Sequence, residues 1–147
     1  MEVRKNKNRG YQQLRVWNEA IDYYKSNCDV FLKFSYELKR ITIQQIACCD
    51  SIHRNIAEDY CRRSIKEYLN FLNIAVSSLG ESVSGLHACL RANQISENIY
   101  NKLDAKAFKL ENGLLKLIRS LEVKKGNGEW IDHLIVKESN EIYETNS

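Results

Sequence analysis

Four cations fall within thirteen residues of one another: Arg54, Arg62, Arg63 and Lys66. Guanidinium groups present paired N–H donors whose spacing matches phosphate oxygens, and an ammonium adds a mobile point charge. The chemistry this spacing suggests is contact with a phosphate backbone. Glu58, Asp59 and Glu67 stand among them, so ion pairing within the protein is the competing explanation. A second group, Arg4, Lys5, Lys7 and Arg9, opens the chain against the single acid Glu2. Basic arms of this kind contact nucleic acid in many proteins, and as often they are solvated termini.

Catalytic constellations are missing from the sequence. His53, His87 and His133 are scattered, with no H-E-x-x-H spacing, and the closest approach to a carboxylate–imidazole pair is Asp50 with His53. A di-iron bundle needs two Glu-x-x-His motifs on inward faces, and none occurs. There is no G-x-x-x-x-G-K-[ST] phosphate loop and no dinucleotide fingerprint. The expectation is a protein with no catalytic residues, no metal and no cofactor.

The elements that must position these cations are helical. The chain has 147 residues, enough for one domain with a sizeable core, and it contains no proline. Leu14, Trp17, Ile21, Tyr24, Cys28 and Phe31 recur at alternating steps of three and four. That is one apolar stripe of a helix over 13–35. Leu38, Ile46, Cys49, Ile52, Ile56 and Tyr60 mark a second helix over 38–60, although Ile41-Thr42-Ile43 on its own reads as strand. A break at 59–63 precedes Ser64 and Glu67, the S-x-x-E capping box that starts a third helix over 65–92. Its stripe is Tyr68, Leu72, Ala75, Leu79, Leu86 and Leu90; the small residues Ser77, Ser78, Gly80, Ser82, Ser84 and Gly85 suggest a close helix neighbour. Ser96 caps a fourth helix over 97–124 with the stripe Leu103, Ala107, Leu110, Leu114, Leu117 and Leu121, closed by Lys124-Lys125-Gly126. Four such stretches with short connections predict an all-α protein, an antiparallel up-down four-helix bundle.

Charge divides the chain in three. Residues 1–10 carry four bases against one acid, a net of +3, and are expected to be a disordered basic arm. The bundle, 11–124, is close to neutral. Residues 125–147 are acidic, and Trp130, Ile131, Leu134, Ile135 and Val136 are expected to form a short docked segment within an otherwise disordered tail. The five cysteines, Cys28, Cys48, Cys49, Cys61 and Cys89, are odd in number and lack a CxxC, which suits reduced thiols in a cytoplasmic protein. The charged start has no apolar h-region, and no run approaches the roughly 18 apolar residues of a membrane span.

The same residues carry a resemblance. Leu14-Arg15-Val16-Trp17 with Ala20 resembles the L-x-V-W-x-x-A opening of the four-helix-bundle proteins encoded by intervening sequences in bacterial 23S rRNA genes. Ser51-Ile52 and Asn55-Ile56-Ala57-Glu58 resemble the family's S-I-P-x-N-I-A-E centre. Arg62-Arg63-Ser64, Glu67-Tyr68, Phe71-Leu72, Ile74-Ala75, Ser78-Leu79 and Glu81 continue it, and 114–121 resembles its L-x-x-L-I-x-x-L end. His53 stands where the motif has proline and Asp59 where it has glycine. The resemblance implies a barrel-shaped homopentamer and kinship with the accessory variability determinant of diversity-generating retroelements, a partner of nucleic acid and of a reverse transcriptase. The expected function is therefore a non-enzymatic, oligomeric nucleic-acid-binding accessory protein that reads shape and charge, with a reverse transcriptase as a further partner. A protein–protein scaffold is the alternative, with the arginines serving intersubunit ion pairs.

Overall fold

The computed structural model describes residues 10–60 and 64–126, with the side chains of residues 59 and 60 excluded. The expected basic arm, the docked segment and acidic tail after Gly126, and most of the helix break expected at 59–63 lie outside those residues; residues 59 and 60 still belong to a helix. Four α-helices follow a 3-10 turn at Gly10–Gln13, and a second 3-10 turn, Tyr36–Leu38, leads from the first helix into the next: α1, Arg15–Phe31; α2, Lys39–Tyr60; α3, Ile65–Arg91; and α4, Glu97–Gly126. There is no strand among the described residues. Ile41-Thr42-Ile43 belongs to α2, so the helical neighbours override local β propensity. Each helix packs against the next, and α1 packs against α4, closing a four-sided bundle.

The turns explain the helix limits. α1 stops at Phe31, four residues short of the expected end. Lys33 and Phe34 there bond back to the carbonyls of Val30 and Phe31, tightening the chain so that the Phe34 ring meets Phe31 with centroids 4.7 Å apart. The Thr42 hydroxyl donates to the Phe31 carbonyl at 3.1 Å, satisfying one of the acceptors a helix end leaves open. α3 closes through Asn93, held at φ 58°: Gln94 N–H bonds to the Cys89 carbonyl and Asn93 N–H to that of Leu90. This is the Schellman arrangement, with asparagine in the place glycine usually takes. Two residues later Ser96 starts α4, its Oγ accepting the Ile99 amide at 3.1 Å. Ser64 sits at the N-cap of α3 as expected, but its side chain makes no cap hydrogen bond. α2 runs through His53 without interruption, as the absence of proline allows.

The α4 seam is the one expected from sequence: Leu103, Ala107, Leu110, Leu114, Leu117 and Leu121 are all buried, joined by Ile118. The α1 seam is not. Its buried face is Val16, Ala20, Tyr23, Asn27 and Phe31, preceded by Leu14. That is one residue, about 100° of helix, away from Trp17, Ile21, Tyr24 and Cys28. Trp17 and Tyr24 pack at the edge of the core instead. The reason is a buried polar layer. The Tyr23 hydroxyl lies 2.8 Å from Ser82 Oγ, the Gln45 amide donates to Asn27 Oδ1 at 3.2 Å and to the Ser82 carbonyl at 2.9 Å, and the Asn27 amide donates to the Tyr23 carbonyl at 2.9 Å. Because these groups satisfy one another, tyrosine, asparagine and glutamine can take core positions in α1 and α2. Of the two glycines in α3, Gly85 is the one pressed by a neighbour: a methyl group there would fall on the Gln45 amide, whereas Gly80 faces open space.

Candidate nucleic-acid interface

In α2 the buried residues Ile52 and Ile56 fix one face against the core, which turns Arg54, between them, outward. Its side chain is 71% exposed, and its guanidinium is paired with Asp50 one helical turn earlier. Asp50 also bonds His53 Nε2 at 2.8 Å. Partial burial works to raise the Asp50 pKa, but the His53 and Arg54 contacts outweigh it and hold the carboxyl below its ordinary value. Arg54 therefore reaches solvent with its charge partly offset. The ion-pairing explanation is right for this residue, although the acid is Asp50 and not one of the three expected.

Across the connection, Lys66 lies in the first turn of α3, exposed and without an ion pair among the described residues. Arg62 and Arg63 lie outside the described residues, as do Arg4, Lys5, Lys7 and Arg9. The structure thus brings Arg54 and Lys66 to one end of the bundle, on the two helices that flank Arg62-Arg63 in sequence.

Asn55 has a packing role. Its amide donates to the Ser51 carbonyl at 2.7 Å and to Ser51 Oγ at 3.0 Å, and Ser51 Oγ lies 3.0 Å from Ser78 Oγ of α3. This polar clasp ties α2 to α3 just before the connection. On its side toward α1, α2 meets an aromatic group that includes Trp17 and Tyr24, two residues expected in the α1 core stripe. His53 packs against Trp17, with centroids 6.5 Å apart, and Tyr24, at 5.6 Å; Tyr11 packs tilted against Trp17 at 5.3 Å. Because α3 and α4 are antiparallel, the end of α4 lies at the same end of the bundle as the start of α3. Lys124 and Lys125, which the sequence suggested only as dipole partners, add cations there.

Among the described residues, no three His, Cys, Asp or Glu side chains come together as a metal site. Cys28, Cys48, Cys49 and Cys89 are free thiols. Burial, with Glu81 beside it, pushes the Cys48 thiol up to about 11, so it stays protonated at neutral pH. No described helix is long and apolar enough to cross a membrane.

Comparison with known proteins agrees with this architecture. No curated protein matches the chain. A solved structure from Bacteroides thetaiotaomicron, a protein of unknown function from the S23 ribosomal protein family, superposes with a TM-score of 0.67. The two are 21% identical, over 71% of this chain and 95% of the other, a likeness that establishes a shared fold. Residues 12–116, spanning α1 to α3 and most of α4, match the family described as 23S rRNA-intervening sequence protein. The chain belongs to the 23S rRNA-intervening sequence protein family.

Proposed function

We propose that this protein is a non-enzymatic, self-assembling accessory protein that binds nucleic acid through its phosphates. The observation that carries the reading is the placement of Arg54 and Lys66 on the two helices joined by the segment that contains Arg62 and Arg63. Phosphates would be met by these four residues, with Arg4, Lys5, Lys7 and Arg9 from the arm. A homopentamer would multiply the patch, since sites on one assembly act on a bound strand at high effective concentration. Nothing in the described surface resembles a base-edge reader, which favours recognition by shape and charge. The kinship with the retroelement accessory determinant that the sequence resemblance implies makes a reverse transcriptase the proposed protein partner.

The test is a titration of structured RNA and of duplex DNA at rising salt. A protein that neutralises six to ten phosphates loses roughly 10³–10⁵ in affinity between about 50 and 200 mM salt. The double substitution Arg62→Ala with Arg63→Ala should weaken binding and lower the salt slope. A flat salt response, or unchanged binding by the double variant, removes the proposal.

A second reading, a protein–protein scaffold, draws on two observations: Arg54 already has an acid partner, and the large apolar side chains Phe108 and Ile43 are 66% and 64% exposed. Under that reading the same double variant dissociates the assembly in sizing experiments, and RNA binding is absent at every salt concentration.

A further inference from the structure

Lysines of α4 face acids of α1 along the groove between these helices. Lys109 lies 3.9 Å from Glu19, and Lys106 lies 2.8 Å from Asp22 while also donating to Ser26 Oγ at 2.7 Å. The next rung toward the start of α4 would join Lys102 to Asp29. It is not closed: neither residue forms an ion pair among the described residues. A cavity of about 600 Å³ opens between them instead. That volume lies within the range of small-molecule sites.

The lining has two characters. Val30, Phe34, Ile95, Ile99 and Leu103 form an apolar wall continuous with the core, and Ile95 and Leu103 are themselves buried. Phe34 already gives one side of its ring to Phe31, and the remaining apolar groups are aliphatic, so there is no aromatic clamp for a base. The rim carries Lys33, Lys102, Lys106 and Asp29. Lys106 is already matched by Asp22. Lys33 and Lys102 against Asp29 leave one positive charge in excess beside aliphatic surface.

The geometry points to a binding site for a monoanionic carboxylate with an unbranched aliphatic body. The carboxylate closes the open rung by accepting from Lys102 and Lys33, and the alkyl chain lies on the wall of Ile95, Ile99 and Leu103. A single excess charge matches one carboxylate better than a doubly charged phosphate, and burial of methylenes supplies the affinity. This site is separate from the proposed phosphate-binding end. It lies between the end of α1 and the start of α4, at the opposite end of the bundle.

Isothermal titration calorimetry of the full chain with hexanoate, octanoate and decanoate, each below its micelle concentration, tests the assignment. One ligand per chain is expected, with affinity rising about fourfold for each added methylene that the cavity covers. Lys102→Gln should weaken octanoate about tenfold, and Asp29→Asn should tighten it, because a like charge at the rim no longer repels the carboxylate. Both residues are exposed, so neither change threatens the fold. Ile99→Ser, at the half-buried edge of the wall, should weaken decanoate more than hexanoate. Octylammonium binding as tightly as octanoate, an affinity independent of chain length, or an unchanged Lys102→Gln variant would each overturn the inference. So would tighter binding of N-acetyl-leucyl-leucine than of octanoate, which reassigns the cavity to an apolar peptide C-terminus.

Discussion

The Tyr23 hydroxyl and Ser82 Oγ stand 2.8 Å apart, both side chains wholly shielded from solvent, and this bond joins α1 to α3 through the middle of the core. Ser82 Oγ also donates to the Leu79 carbonyl at 2.7 Å, so the tyrosine is the donor of the pair. Removing the donor and removing the acceptor are then unequal. Tyr23→Phe should cost roughly 0.5–1.5 kcal/mol, the net worth of one hydrogen bond. Ser82→Ala strands a phenol in an apolar interior and should cost roughly 1–3 kcal/mol. The double variant should lose less than the sum, since the two changes share one interaction. Urea denaturation of the three proteins checks the order; additive losses would show that the bond is not formed.

Two glycines of α3 should respond in opposite directions to alanine. Gly80 faces open space, so Gly80→Ala removes a helix-weakening residue at no steric cost and should stabilise by roughly 0.5–1 kcal/mol. At Gly85 the new methyl collides with the Gln45 amide, which is buried and bonded to Asn27 and to the Ser82 carbonyl. Expelling that amide breaks both bonds, and a net loss of roughly 1–3 kcal/mol is expected. Thermal melts of the two variants should move to either side of the parent. A stabilised Gly85→Ala would mean that Gln45 does not seal the polar layer.

What could be read from sequence follows from how much each residue's type constrains its place. The α4 leucines allow one inward face, and the helix delivered that face. The α1 stripe allowed two readings, because Trp17 and Tyr24 are apolar enough for a core while Tyr23 and Asn27 carry groups that burial ordinarily penalises. Only partners from α2 and α3, Gln45 and Ser82, reverse that penalty, and those contacts span 18 to 59 residues of sequence. The cluster of cations is visible in the sequence, but the Asp50–Arg54 pair is not, because Asp50 and Glu58 lie at the same four-residue spacing on either side of Arg54 and sequence alone does not choose between them. The cavity between α1 and α4 was not legible at all, since it arises where one rung of a charge ladder between distant segments fails to close.

Two serines in equivalent positions separate a cap that works from one that does not. Ser96 Oγ accepts the Ile99 amide, and Ser96→Ala should cost about 1 kcal/mol. Ser64 occupies the corresponding place on α3 with no such bond, so Ser64→Ala should change stability by no more than a few tenths of a kcal/mol. Chemical denaturation of both variants measures the difference. A Ser64→Ala loss as large as that of Ser96→Ala would show that the capping box predicted from S-x-x-E forms in solution.

Glu19 gives the pH-dependent case. Its side chain is 14% exposed, and Oε2 is buried without a hydrogen-bond partner. Burial raises its pKa above the ordinary 4.5 and outweighs the lowering influence of Lys109 and Arg15. Because folding disfavours the charged form of this acid, its contribution is most favourable below the unfolded pKa, where it is protonated in both states. That contribution is lost as pH climbs from the unfolded value through the raised folded one, then stays constant. Glutamine keeps the shape and stays neutral throughout. Glu19→Gln should therefore match the parent at acidic pH, gain on it across that window, and remain the more stable protein at pH 7. Urea midpoints measured from pH 3.5 to 7.5 would show the two curves separating upward from about pH 4.5. A variant less stable than the parent at pH 7 would mean instead that the pairing with Arg15 and Lys109 outweighs the burial of this carboxylate, and that α1 is held to α4 by charge at this rung.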